Sequence, residues 1–509
     1  MRTVFILFDS LNRHFLECYG STLFSTPNFK RLAEKSVTFE QHHVGSLPCM
    51  PARRDIQTGR LNFMHRSWGP MEPFDQSVFQ QLQEAGVHSH LITDHYHYFE
   101  EGAGNYHTKY SSYESFRGQE GDKWQAEMAP PLADWEARYH ADQFDGASGS
   151  LPFHYMANRD YLEKTGQFPS TQCFDAACVF LDKNKAADNW LLQIETFDPH
   201  EPFFAPEEHR RKFDSDYDGK IRDWPPYAPY TGQSPENDEM KRNYMALISH
   251  CDEQLGRVLD FMDEHDMWQD TMLVVSTDHG FLLGEHDWWA KNRMPCFTEI
   301  AHIPLFVHHP DYSKCAGERR NALTQTPDLA VTFCDAHNAP ALENATGRSV
   351  LPLIADADAS NHDALIFGYF GGAMNLTDGH HTYFRYPENM MDQPLYQYTL
   401  MPNHMLHSFR QKEFEDAELI DDLAYAQNWK VLRLKVTDSP GWYRSHGPGA
   451  MEECETALYD LTVDPGQKSP VQDAEIEQKL VTVMAELMAA SKAPPEAFER
   501  LGISRGQDI

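Results

Sequence analysis

Four apolar runs stand out along the chain before residue 280: Thr3 to Phe8, Val87 to Thr93, Trp190 to Glu195 and Thr271 to Ser276. They are rich in β-branched and aromatic residues and do not alternate strictly with polar ones, the pattern of strands buried on both faces of a parallel sheet. Helical signals fall between them. Thr26 and Pro27 read as N-cap and first residue of a helix reaching about Lys35. Ser234-Pro235-Glu236 repeats that start, and Tyr244, Leu247, Ile248, Cys251, Leu255, Val258, Leu259 and Met262 then recur at helical spacing, as core packing requires. This alternation runs to about residue 345 and predicts an α/β fold with a large, mainly parallel sheet flanked by helices.

Two stretches depart from the alternation. Residues 100–170, rich in Tyr, Gly, Asp and His, read as an insertion near the mouth of a site, where loops set specificity. Beyond residue 355 the texture changes to shorter strands: Leu365 to Tyr369, His381 to Tyr386, Trp429 to Leu434 and Ala457 to Leu461, followed by a helical apolar pattern over 473–491. The expected organisation is a catalytic domain over 1–355 and a C-terminal subdomain over 356–509. There are no internal repeats and no low-complexity segments.

Composition narrows the partners. The 509 residues allow a large core and two or three domains. A formal charge of −34 disfavours nucleic acid and anionic membrane. No run approaches the ~18 apolar residues of a membrane span. The opening MRTVFILFD is cut by Asp9 below signal-peptide length and reads as a core strand. Nine scattered cysteines point to reduced thiols and a cytoplasmic location.

Chemistry-bearing residues cluster at strand ends. The first run leads directly into Asp9, and the fourth into Thr277-Asp278-His279-Gly280. Ligands of open α/β sheets bind at the carboxyl ends of strands, so Asp9, Asp278 and His279 stand where a site is expected. Cys49 opens the run Cys49-Met50-Pro51-Ala52-Arg53, which continues to Thr58-Gly59-Arg60. Read as C-x-P-x-R followed by T-G, this resembles the signature of type I sulfatases, formylglycine-dependent enzymes of the alkaline-phosphatase-like superfamily.

The resemblance extends along most of the chain. Asp278-His279-Gly280, Gly284-Glu285-His286 and Trp289-Ala290-Lys291 are similar to the family stretch D-H-G…G-E-H…W-G-K, with Ala290 in place of the glycine. Phe197-Asp198-Pro199-His200-Glu201-Pro202-Phe203 resembles its D-P-H-x-P-F segment. Ala457-Leu458-Tyr459-Asp460-Leu461 with Asp464-Pro465 resembles an L-Y-D-L…D-P element of the family's small C-terminal antiparallel sheet.

The resemblance implies a sulfuric ester hydrolase acting on a small organic or saccharide sulfate. A formylglycine-generating maturation enzyme would oxidise Cys49, and the hydrated aldehyde would be the nucleophile. Asp9, Asp278, His279 and oxygen from residue 49 would hold one divalent metal, Ca²⁺ first, with Mg²⁺ and Mn²⁺ also suited to such an O/N set. Arg53 would steady the aldehyde hydrate. Lys291 would bind the sulfate oxygens, and His200 would contact the substrate and protonate the leaving alcohol. In Asp94-His95-Tyr96-His97, compared with the family's G-K-W-H, His97 falls on the histidine that assists sulfate release. His95 falls on its substrate-binding lysine and makes a permanent charge titratable.

Departures remain. Ser10 stands where many relatives have a second aspartate, and Asn12 is a candidate substitute ligand. The acidic chain also repels anionic esters in general, so attraction must come locally from the metal, Arg53 and Lys291. The alternative reading is a phosphonate monoester hydrolase or phosphodiesterase using the same nucleophile, because these esters share the shape and charge of a sulfate ester. A non-catalytic binder of sulfated ligands is the reading from another class. Oligomeric state is left open, a homo-oligomer included.

Overall fold

The computed structural model describes residues 1–213, 216–292, 295–390, 394–436 and 455–505. An eight-stranded sheet organises it. In chain order the strands are β1 (Arg2–Phe8), β2 (Val37–Phe39), β3 (His88–Thr93), β4 (Ser112–Ser115), β5 (Trp190–Thr196), β6 (Thr271–Thr277), β7 (Leu305–His308) and β8 (Arg319–Arg320). They lie side by side as β8-β2-β7-β6-β1-β5-β3-β4. β7 runs against both neighbours, and every other pair is parallel.

The apolar runs are continuous because both faces of this sheet are covered. Every residue of β5 and β6 is buried. Successive residues of β1 point to opposite faces, as strand geometry requires. Val4, Ile6 and Phe8 join one core with Phe29, Leu32, Phe174, Leu181, Leu247 and Leu255 from helices α1 (Pro27–Lys35), α3 (Pro169–Asn184) and α4 (Pro235–Glu264). Phe5 and Leu7 join the other core with Ile56, Leu329 and Phe333 from α2 (Cys49–Thr58) and α5 (Asp328–Ala336). Each such side chain contributes about 1.5–3 kcal/mol on burial, which fixes the central strands most firmly.

The second sheet is built in the order Ala457–Asp460, His381–Arg385, Met374–Thr377, Leu365–Tyr369 and Ser46–Leu47. It is antiparallel except at the last pair, which is parallel. Helix Ala474–Ala490 packs Leu480, Met484 and Met488 against Leu376, Tyr383 and Leu458. This sheet is the small C-terminal element expected from the sequence, but it takes an edge strand from the segment just before Cys49.

Two details differ from expectation. The 100–170 segment is not wholly an insertion, since β4 extends the main sheet in parallel with β3. Trp429 and Lys430 stay outside their strand, which runs Val431–Lys435, because Gln427 and Asn428 adopt positive φ and turn the chain. Among the described residues no helix is long and apolar enough to cross a membrane.

Candidate active site

Parallel register places the site. Phe8 pairs with both Thr277 and Thr196, and Thr93 pairs with Glu195, so β1, β6, β5 and β3 end at one level. The residues that follow, Asp9, Asp278, Asp198 to His200 and Asp94 to His97, therefore leave the sheet at one edge. Gly280 is required by packing, because a Cβ there would lie 1.9 Å from the Glu299 carbonyl oxygen.

Cys49 arrives on a helix. It is the first residue of α2, whose ten residues are all buried. The motif around it divides into chemistry and support. Arg53 lies one turn on, and its Nη1 donates to the Cys49 carbonyl at 2.9 Å. Asp55 accepts from the Ser46 backbone N–H at 2.6 Å and from Asn62 Nδ2 at 2.7 Å, fastening the helix to the second sheet's edge strand. Thr58 donates to the Arg54 carbonyl, Gly59 closes the helix at φ 67°, and Arg54 and Arg60 both grip Asp75. The T-G-R part of the signature is thus architecture.

Arg53 is the hub of the buried site. Its Nε donates to Glu195 at 2.7 Å, Nη1 to Asp278 at 2.6 Å and Nη2 to Asp9 at 3.0 Å. Burial opposes the charge on Asp9, but the Arg53 guanidinium overrides it and holds this carboxyl well below the usual range. Asp278 and Glu195 are pushed up, chiefly by burial and then, for Asp278, by Asp9 beside it. One guanidinium among three carboxylates leaves excess negative charge, a setting that favours a further cation.

Asp9, Cys49, Asp278 and His279 bring ligand atoms within 4.8 Å of one another. His279 Nδ1 is 2.9 Å from the Gly280 carbonyl, which fixes the proton there and leaves Nε2 as the lone-pair donor facing Cys49 Sγ at 3.3 Å. Two carboxylates and an imidazole nitrogen converge with the residue 49 side chain, a set that fits a divalent cation. Cys49 Sγ also lies 3.9 Å from Asp9 Oδ1. Burial, with Asp9 adding to it, pushes the thiol well above its ordinary pKa, so the encoded residue is no thiolate.

Ser10, at φ 61°, links three parts of the site. Its N–H donates to Asp278 at 3.0 Å, its hydroxyl donates to Asp9 at 2.7 Å, and the same oxygen accepts from Lys291 Nζ at 3.2 Å. Lys291 is buried, yet surrounding anionic groups, Glu201 included, raise its pKa and keep it charged. Its second neighbour is Glu201 Oε2 at 3.5 Å.

The histidines differ in state. His95 Nε2 sits 3.2 Å from Asp9 Oδ2, but complete burial and then Arg53 drive its pKa well below the ordinary value. The titratable positive charge expected there is therefore suppressed. His97 is the opposite case: burial lowers its pKa, while Glu100, at 2.7 Å, and Glu120 more than offset this and raise it. His200 is held neutral by burial and by Lys291, and its Nδ1 contacts the Glu201 backbone carbonyl.

Asn12 is not brought to the cluster. It donates to the Phe281 carbonyl and accepts from the His14 N–H, capping a short turn. His286 stacks on Phe297 at 3.5 Å and pairs with Glu299. The sequence reading missed Glu195, Glu201 and the linking role of Ser10. A charged residue near the end of a fully buried strand was the available signal for Glu195.

A family profile described as Sulfatase matches residues 2–339, and one described as N-sulphoglucosamine sulphohydrolase, C-terminal, matches residues 284–416. An N-acetylglucosamine-6-O-sulfatase of Bacteroides thetaiotaomicron is 23% identical, covering 90% of this chain and 88% of that protein. Human iduronate 2-sulfatase is 25% identical over 61% of this chain and 60% of its own length. A protein solved in complex with its substrate D-glucosamine-2-N,6-O-disulfate superimposes with a TM-score of 0.66 at 15% identity, covering 97% of this chain and 99% of the other. The phosphonate monoester hydrolase of Agrobacterium radiobacter gives 0.62 at 16% identity, covering 96% and 95%. At such identities the structural likeness speaks to the fold.

Proposed function

The chain belongs to the sulfatase family, a sulfuric ester hydrolase of alkaline-phosphatase-like fold, and on that premise we propose that it releases sulfate from a small organic or saccharide ester using formylglycine made from Cys49. The observation that carries this reading is the position of Cys49. It is a neutral thiol at the head of a buried helix, 3.3 Å from His279 Nε2 and 3.9 Å from Asp9 Oδ1. A thiol held neutral is a poor nucleophile, whereas a hydrated aldehyde at the same point offers two hydroxyls.

Asp9, Asp278, His279 and residue 49 would hold one divalent ion, with Ca²⁺ the first expectation for an oxygen-rich set. Bound there, such an ion would supply neutralisation of charge on the sulfate oxygens. Lys291 grips the same oxygens from the Ser10 side. One hydroxyl of residue 49, passing its proton by way of the neighbouring Asp9 carboxylate to water, forms a bond to sulfur as the bond from sulfur to the alcohol oxygen breaks, and His200 Nε2 delivers a proton to that oxygen. His200 is neutral in the free enzyme, so the anionic ester must first offset Lys291 for the ring to carry this proton. The remaining hydroxyl then gives its proton to His200, neutral again after protonating the alcohol, the carbon–oxygen bond to sulfate breaks, and the aldehyde returns and adds water to restore the two hydroxyls. His97, kept protonated beside Glu100, stabilises the departing sulfate. Arg53 orients the carboxylates and the first turn of α2, and His95 supports Asp9.

Eight described cysteines are free thiols, which supports a reducing, cytoplasmic setting, with a formylglycine-generating enzyme as maturation partner. A phosphonate monoester hydrolase is the second reading, favoured by the fold shared with the Agrobacterium enzyme. Peptide mass spectrometry of the segment holding residue 49, followed by parallel turnover of matched aryl sulfate, phosphonate and phosphodiester esters, tests both. An unmodified cysteine in fully active protein would sink the nucleophile assignment, and a faster phosphonate reaction would favour the second reading.

A further inference from the structure

Glu201 is a buried carboxylate that the reaction scheme above does not use. It is 1% exposed and sits immediately after His200, beyond the end of β5. Its Oε1 accepts from the Tyr227 hydroxyl. Its Oε2 makes no hydrogen bond and lies 3.5 Å from Lys291 Nζ and 3.3 Å from His200 Nδ1, the two groups that face the ester and its leaving oxygen. Placing an anion beside the lysine that must hold an anionic substrate weakens that hold, so its presence calls for a reason.

Charge supplies one. On the chain itself Arg53 and Lys291 face Asp9, Asp278, Glu195 and Glu201, while the charge on His97 is matched by Glu100 at 2.7 Å and drops out of the balance. A divalent cation brings that set to electrical balance. A singly charged ester entering it leaves one net negative charge, whereas a doubly charged one leaves two in a water-poor cavity. Without Glu201 the pocket would carry one positive charge in excess and would suit dianions better.

We propose that Glu201 is a specificity-determining residue that selects singly charged esters over doubly charged phosphate monoesters. The inference rests on the sulfatase reading and deepens it, because sulfate esters are monoanions of the same tetrahedral shape as the excluded phosphate dianions. An extra unit charge about 5 Å from a carboxylate, at an effective dielectric of about 20, is disfavoured on the order of a hundredfold. Product release gains from the same repulsion, since the sulfate that leaves carries one more charge than the ester that entered.

The test uses the metal-loaded protein above about pH 7, where a phosphate monoester carries its second charge. The kcat/KM values for 4-nitrophenyl sulfate, 4-nitrophenyl phosphate and a 4-nitrophenyl phosphodiester are compared in wild type, Glu201→Gln and Glu201→Asp. Inorganic phosphate binding is measured by calorimetry. Glu201→Gln should raise the phosphate-to-sulfate ratio about tenfold or more and tighten phosphate binding by a similar factor, while Glu201→Asp keeps the wild-type ratio. An unchanged ratio and affinity in Glu201→Gln, or an equal shift in both variants, overturns the proposal. Wild type alone provides a check that needs no variant to fold: the phosphodiester must be turned over faster than the phosphate monoester, and the reverse order overturns the charge argument. Loss of the sulfate reaction in wild type itself would instead overturn the proposed function.

Discussion

Replacing Arg53 with Met keeps most of the side-chain volume and removes the charge that holds the site's carboxylates together. In the folded protein that guanidinium meets Asp9 at 3.0 Å, Glu195 at 2.7 Å and Asp278 at 2.6 Å, all beyond the reach of solvent. Removing one member of a buried ion pair costs about 3–5 kcal/mol, because the partner is left desolvated and unpaired. Here three partners lose their cation, so the estimate is a lower bound. Partial protonation of Asp278 and Glu195, already pushed up by burial, limits how far the loss exceeds it. At about 2.1 cal/mol/K per residue, a chain of 509 residues unfolds with an entropy of about 1.1 kcal/mol/K, so Arg53→Met should melt about 3–5 °C lower. Differential scanning calorimetry in chelator gives the value directly. Adding Ca²⁺ should then recover much of the loss, since a ligand at a hundred times its Kd stabilises by about 2.7 kcal/mol and this one would enter among the stranded carboxylates. A metal-free Arg53→Met protein melting at or above the wild-type temperature would refute the view of Arg53 as a net stabilising hub.

Three further outcomes are expected. Cys49→Ala should fold normally and lose turnover, which circular dichroism and an aryl sulfate assay check together; retained activity would remove residue 49 from the chemistry. His200→Ala should slow alkyl sulfates by about 10²–10⁴-fold and activated aryl sulfates much less, since only the former need a proton in the transition state; equal slowing of both would make His200 a positioning residue. His65 stacks on Tyr425 at 3.6 Å, and burial pushes its pKa down to about 3. A depressed histidine contributes stability that is present above its unfolded value near 6.5 and is lost as pH falls toward its folded one, so between pH 7 and 5 wild type should lose about 2 kcal/mol more than His65→Gln. Urea midpoints at the two pH values measure this, and parallel losses would refute it.

The sequence by itself determined the parts that local chemistry specifies. Continuous apolar runs marked β1, β3, β5 and β6, because a strand covered on both faces has no polar face to alternate with. Pro27 and the Ser234-Pro235 pair marked helix starts, because proline at the first turn loses no hydrogen bond. Asp9, Asp278 and His279 were legible as candidate site residues because they follow those strands directly. Cys49 and Arg53 were legible because the C-x-P-x-R signature that carries them lies within one short stretch of chain, and the structure then set them one helical turn apart. The tertiary structure alone decided what each group faces and what charge it carries. Only parallel register brings Glu195 of β5 against an arginine 142 positions away. Only the packed interior suppresses the charge on His95 while sustaining it on His97, two residues on, since that difference depends on Arg53 near one ring and Glu100 and Glu120 beside the other. Asn12, near the site in sequence, is spent on a turn, whereas Glu201 becomes the neighbour of Lys291. Hydrophobic pattern and spacing are properties of a short stretch of chain, but desolvation and Coulomb interaction act through space, so protonation and pairing belong to the fold.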